Sequence, residues 1–94
     1  MKYVVLTKLT DKGAKTIRED PERIKEVNAE LETVGVKVLH QYAVLGEYDF
    51  VNIVEADSDI VIARAMLDLN ARGSIRTITM SAVPIDEFIE NLKM

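Results

Sequence analysis

One histidine and no cysteine narrow the chemistry open to this chain of 94 residues. His40 is the only imidazole, the side chain best suited to moving protons near neutral pH. A general base needs a partner within hydrogen-bond reach. Tyr42 stands two residues along on the same face of an extended segment, and Glu55 lies further along that face on a neighbouring one. The alternative for His40 is a strand histidine partly buried beneath a helix end. Asp49, just past Gly46-Glu47-Tyr48, is the second acid–base candidate, able to bind a cation or an amine. A carboxylate beside a tight turn more often accepts backbone N–H bonds and locks the turn. Tyr48 beside it reads as an amphipathic lid.

A second set of residues suits binding better than catalysis. Thr7, Gln41, Asn52, Thr77 and Thr79 fall on one strand face together with Tyr3 and Phe50. A few polar groups inside an apolar surround is the usual make-up of a small-ligand site. The same groups can instead satisfy one another. None is a good base or nucleophile unaided. Arg76 suits a carboxylate, but it falls on the other face. With no cysteine and a single histidine, a metal site would need carboxylates, and none are spaced as a known metal loop. No glycine-rich phosphate loop is present, so no cofactor is expected. Glu22, Glu26 and Glu30, with Lys25 among them, read as the wet side of a helix. The balance leans away from an enzyme.

The formal net charge of −4 argues against nucleic acid as a direct partner. An apolar fraction of 48% is too high for a disordered chain. No apolar run approaches the roughly 20 residues of a membrane span. The start, Met1 to Lys8, has too short an apolar run for a signal peptide. The expectation is a single soluble, cytoplasmic domain over residues 1–94. A domain this small gains more from a second protomer than a large one would.

The elements follow from pattern. Lys2 to Leu9 is rich in β-branched and aromatic residues and reads as a strand. Thr10-Asp11-Lys12-Gly13 is a turn able to start a helix, with a short helical turn over 14–19. Asp20 is an N-cap type and Pro21 suits the first helical position. Ile24, Val27, Leu31 and Val34 then recur at helical spacing, closed by Gly35. Val36 to Leu45 and Tyr48 to Ala56 read as strands joined by a two-residue type II′ hairpin at Gly46-Glu47. Asp57-Ser58-Asp59 starts a second helix carrying Ile60, Ala63, Met66, Leu67 and Asn70, ending at Gly73. Ser74 to Val83 is the fourth strand. Pro84 opens a short terminal helix with Ile85, Phe88, Ile89 and Leu92 on one side.

That order is β-α-β-β-α-β plus a tail helix, the α+β ferredoxin-like arrangement. It has a four-stranded antiparallel sheet, two helices on one face, and the first and third strands central. The hairpin register pairs Leu45 with Tyr48, Ala43 with Phe50, Gln41 with Asn52 and Leu39 with Val54. The driest set, Val4, Leu6, Val38, Val44, Val51, Ile53, Ile78 and Met80, is expected beneath the helices. The face with Tyr3, Val5, Thr7, Leu39, Gln41, Ala43, Phe50, Asn52, Val54, Thr77 and Thr79 is then apolar enough to need cover. A second protomer in a two-fold homodimer supplies it, with the ligand between the sheets. The alternative is that the tail helix folds back over it.

The chain also resembles the GYD domain family of small bacterial and archaeal proteins. The resemblance runs over nearly its whole length. It is carried by Leu9-Thr10-Asp11-Lys12-Gly13, Asp20-Pro21-Glu22-Arg23 and Gly46-Glu47-Tyr48-Asp49, one residue longer than a literal Gly-Tyr-Asp. It continues through Val54-Glu55-Ala56-Asp57, Gly73-Ser74-Ile75-Arg76-Thr77 and Ala82. It implies a dimeric α+β barrel. It is similar, too, to the ligand-sensing domain of Lrp/AsnC-type regulators, which bind small effectors at protomer interfaces. Without their helix-turn-helix, this chain would be a stand-alone sensor or a partner subunit. Cofactor-independent monooxygenases and small isomerases share the superfamily, and a fold does not carry function across that range. The readings that remain are a homo-oligomeric small-molecule binder, a cofactor-independent enzyme and a ligand-free assembly module.

Overall fold

A computed structural model describes all residues, Met1–Met94. The elements run β1 (Lys2–Leu9), α1 (Asp11–Glu19), α2 (Arg23–Thr33), β2 (Lys37–Ala43), β3 (Phe50–Glu55), α3 (Asp59–Ala71), β4 (Ile75–Ala82) and α4 (Ile85–Leu92). The four strands form one antiparallel sheet in the order β2-β3-β1-β4, with β1 and β3 central as expected. This is the ferredoxin-like α+β fold.

The segment between β1 and β2 holds two helices where the pattern suggests a helical turn and one helix. Thr10 explains α1. Its extended backbone and hydroxyl cap the helix, accepting from the Gly13 N–H at 3.2 Å. The same hydroxyl donates to Gly73 O at 2.7 Å, and Thr10 N–H donates to Ser74 O at 3.0 Å. Those bonds clamp the start of α1 to the turn before β4. Gly13 sits so close to that turn that a Cβ would lie 1.9 Å from Ser74 O. Asp20-Pro21-Glu22 form a turn, not the first residues of α2: the Arg23 and Ile24 N–H groups donate back to Asp20 O and Pro21 O.

The end of α2 is a Schellman closure. Val36 N–H donates to Leu31 O at 3.0 Å and Gly35 N–H to Glu32 O at 3.2 Å, with Gly35 at φ +92°. Leu31 and Val36 are both buried, which supplies the hydrophobic contact such a cap favours.

Two sheet expectations need correction. The hairpin is wider than a two-residue turn. Val44 N–H donates to Asp49 O at 2.9 Å, and the strands end at Ala43 and Phe50. The register survives, with Ala43 opposite Phe50 and Gln41 opposite Asn52. It shifts at Leu39, a bulge, so Val38 and not Leu39 faces Val54. A bulge adds one residue and reverses the alternation beyond it. Val38 therefore shares a face with Gln41.

The faces are also the reverse of the expectation. Tyr3, Val5 and Val54 are buried with Leu31, Val36, Ile62, Ala65, Met66 and Leu69, so the helices cover the face with the polar residues. Of the drier set, only Val38 packs against this core. Val4, Leu6, Val51, Ile53, Ile78 and Met80 line the open face, where Ile78 is 48% and Met80 44% exposed. Dryness misleads because the polar residues beneath the helices bond to one another. The α3 stripe is likewise rotated. Ile62, Ala65, Met66 and Leu69 face inward at i, i+3, i+4, i+7, leaving Ile60 and Leu67 exposed.

Candidate functional site

Asn52 is the hub of a polar ladder on the helix-covered face. β3 is a central strand, and the Asn52 side chain reaches both neighbours. Its Nδ2 donates to Val5 O at 2.8 Å and to Thr7 Oγ1 at 3.0 Å, both on β1. Its Oδ1 accepts from Gln41 Nε2 of β2 at 2.9 Å. Gln41 then meets Asn28 of α2, accepting from its Nδ2 at 2.8 Å and donating to its Oδ1 at 3.3 Å. An amide is donor and acceptor at once, so amides chain head to tail without leaving a group unpaired. Satisfied in this way, the ladder fixes β1, β3, β2 and α2 relative to one another.

A second polar anchor holds the other flank. Asn70 of α3 donates through Nδ2 to Thr77 Oγ1 at 2.8 Å and to Met66 O at 2.6 Å. Its Oδ1 accepts from the Thr77 N–H at 3.1 Å.

Between these groups lies a cavity of about 100 Å³ roofed by the helices. Thr7, Gln41, Phe50, Asn52 and Thr77 line it, so the structure gathers five of the seven residues expected at a ligand site. It gathers them inside one protomer, not on an open face. Tyr3 and Thr79 stand apart from the lining. Tyr3 is buried, and its hydroxyl donates to Asp59 Oδ1 at 2.6 Å. That bond, with burial, pushes the Tyr3 hydroxyl up to about 12. Thr79 lies opposite Val5 and is exposed.

Twelve of the eighteen lining residues are apolar, and Arg23 is the one charged residue among them. Its guanidinium meets Glu30 Oε1 at 3.0 Å and Glu26 Oε2 at 3.4 Å. Arg72 meets Glu30 Oε2 at 2.7 Å. Arg72 first, then Arg23, holds the Glu30 carboxyl below its ordinary range. The cation is thus already matched by carboxylates. The lining is therefore mostly apolar, with the amides and hydroxyls of the ladder as its polar part.

The two acid–base candidates are not brought together. His40 lies exposed on the open face opposite Ile53, not beneath a helix end, and its side chain makes no hydrogen bond. Asp49 Oδ2 accepts from the Leu9 N–H at 2.7 Å, and Asp49 N–H donates to Thr7 O at 2.9 Å. Asp49 therefore stitches the hairpin loop to the end of β1. Phe50 turns under the helices rather than toward an open face. No group of three or more His, Asp or Glu side chains stands close enough to hold a metal ion. No helix is long and apolar enough to cross a membrane.

Asn28 was not among the residues expected here. The signal was present: Ile24, Val27, Asn28 and Leu31 follow i, i+3, i+4, i+7, which puts an amide inside an apolar stripe. Asn70 carries the same signal on α3.

Residues 3–92 match the sequence pattern described as the GYD domain. A protein of Thermus thermophilus is 56% identical over 92 residues, 97% of each chain. It is named "Glutamine synthetase and cystathionine beta-lyase binding protein". Two solved structures are alike in fold. FFRP-DM1 has a TM-score of 0.62 at 23% identity, covering 87% of this chain and 97% of that one. MtbAldR has a TM-score of 0.66 at 19% identity over 88% of this chain and 51% of that one, so this chain spans about half of MtbAldR.

Proposed function

We propose that this chain, which belongs to the GYD domain family, is a homo-oligomeric module of the cytoplasm that binds other proteins. The observation that carries the reading is the bare, dry sheet face. Val4, Leu6, Val51, Ile53, Ile78 and Met80 share it with Tyr42, which is 61% exposed. At about 25 cal/mol per Å² of apolar surface, covering such a face stabilises by several kcal/mol. A two-fold pairing of sheets, giving the dimeric α+β barrel, covers it with an identical surface. Contiguous exposed apolar patches mark interaction sites.

The protein-binding half of the proposal rests on the relative of 56% identity, whose name records binding to glutamine synthetase and cystathionine β-lyase. Immobilised chain exposed to each purified enzyme in turn tests it. Saturable binding is expected, and its absence for both enzymes contradicts this half.

The cavity of about 100 Å³ favours a second reading, in which the oligomer also holds a small apolar metabolite. The expected residues Thr7, Gln41, Phe50, Asn52 and Thr77 then bind it within each protomer, not between the sheets. Native mass measurement of freshly purified protein is expected to show a small adduct. Chain mass alone, from every preparation, contradicts the reading.

A further inference from the structure

We propose that α4 is a clasp that docks on a second copy of this chain, a reading that rests on the sheet-to-sheet pairing above. The helix has only eight residues, Ile85–Leu92. An isolated helix of that length is marginal in water without a surface to pack on. Its own protomer offers none: Ile85, Phe88, Ile89 and Leu92 lie on one side and are between 43% and 70% exposed. Val83 and Pro84 alone separate it from β4, the edge strand that carries the half-exposed Ile78 and Met80 of the open face. A helix that leaves the rim of one sheet is placed to reach past that rim onto whatever covers the sheet.

Charge selects a second copy as the occupant. Asp86 and Glu87 stand in the first turn of α4 and neither is in an ion pair. Lys2 and Lys8, at opposite ends of β1, share the alternation of Val4 and Leu6, are exposed, and are equally without an ion pair. Exposed Lys37 and Arg76 share that face through the pairs Lys37–Glu55 and Lys8–Arg76, so against the one carboxylate of Glu55 the rim of the open face is net basic where the clasp is acidic. One chain carries both halves of the contact, so a two-fold pair satisfies both twice.

The test uses the full chain, its Phe88→Asp variant and its Ile53→Asp variant, with mass by sedimentation equilibrium and folding by circular dichroism. The expected result is a wild-type dimer, weakened at least tenfold by Phe88→Asp with the fold intact. A dimer broken by Ile53→Asp but unchanged by Phe88→Asp overturns the clasp and leaves the sheet pairing standing. A wild-type monomer overturns both. Loss of protein-partner binding in Phe88→Asp, with dimerisation unchanged, assigns α4 to that partner and also overturns the clasp. Because the chain has no cysteine, Leu92→Cys can carry one photo-crosslinker. Adducts to rim peptides containing Lys2, Lys8 or Met80 of a differently tagged copy are expected; adducts confined to the labelled chain contradict the proposal.

Discussion

Gln41 Nε2 donates to Asn52 Oδ1 at 2.9 Å, and this bond ties the edge strand β2 to the centre of the sheet beneath the helices. Asn52 is 7% exposed and bonds three other residues through one amide. Asn52→Ala leaves the buried Thr7 Oγ1 without its partner and removes one of the two bonds of Gln41 Nε2, which keeps only Asn28 Oδ1. An orphaned buried group costs more than the bond contributes net. The expected loss is about 3 kcal/mol, read from the urea midpoint at unchanged slope. A change under about 0.5 kcal/mol would show the ladder to be dispensable.

Gly13 is required by the close approach of α1 to the turn before β4. A methyl group there meets Ser74 O, which is backbone and cannot swing aside. Gly13→Ala is expected to destabilise by roughly 2 kcal/mol or more, as overpacking does. Gly46 is the control. It has open space around it, with φ +119°. Gly46→Ala meets only backbone strain, on the order of 1 kcal/mol. Thermal midpoints of the two variants check the order; equal midpoints would contradict it.

Much of this framework was legible in the chain. The central β1–β3 pair followed from element order, and the Gln41–Asn52 and Ala43–Phe50 pairings from the hairpin. The loop proved longer, but widening it symmetrically moved no pair. What misled was face choice. Alternation fails at the Leu39 bulge, which no residue type there announces. Dryness also pointed the wrong way, because Asn28 and Asn70 make the helix-covered face polar yet satisfied. Strand alternation groups Thr7, Gln41 and Asn52, but their place under α2 depends on Asn28, an amide on a helix that strand alternation does not reach.

Tyr3 gives the molecule an alkaline signature. Its hydroxyl is held up to about 12, first by the bond to Asp59, then by burial and the Asp59 charge. A raised value means that the folded state keeps its proton while the unfolded state releases it near 10. This contribution is complete below pH 10 and is lost as pH rises from about 10 toward 12. Absorbance titration of phenolate among the three tyrosines should show Tyr3 ionising last. Asp59→Asn should bring that step down. An unchanged titration would show that Asp59 is not the cause.

Glu30 works in the opposite direction. Arg72 and Arg23 hold its carboxyl below the ordinary range, so its contribution is present above that range and lost as pH falls through the lowered value. The pairs are partly exposed, so the effect should be small and screened by salt. Carboxyl NMR titration at low and high salt checks it. A Glu30 midpoint at the ordinary glutamate value in low salt would contradict the ion-pair geometry.

The proposed dimer covers the open face of Val4, Leu6, Val51, Ile53, Ile78 and Met80 with another copy. Sedimentation equilibrium of the unmodified chain at micromolar concentration tests it most directly. A mass at least twice the 10.6 kDa of one chain is expected, falling toward the single-chain value for folded Ile53→Asp. A single-chain mass for the unmodified protein across that range would contradict it.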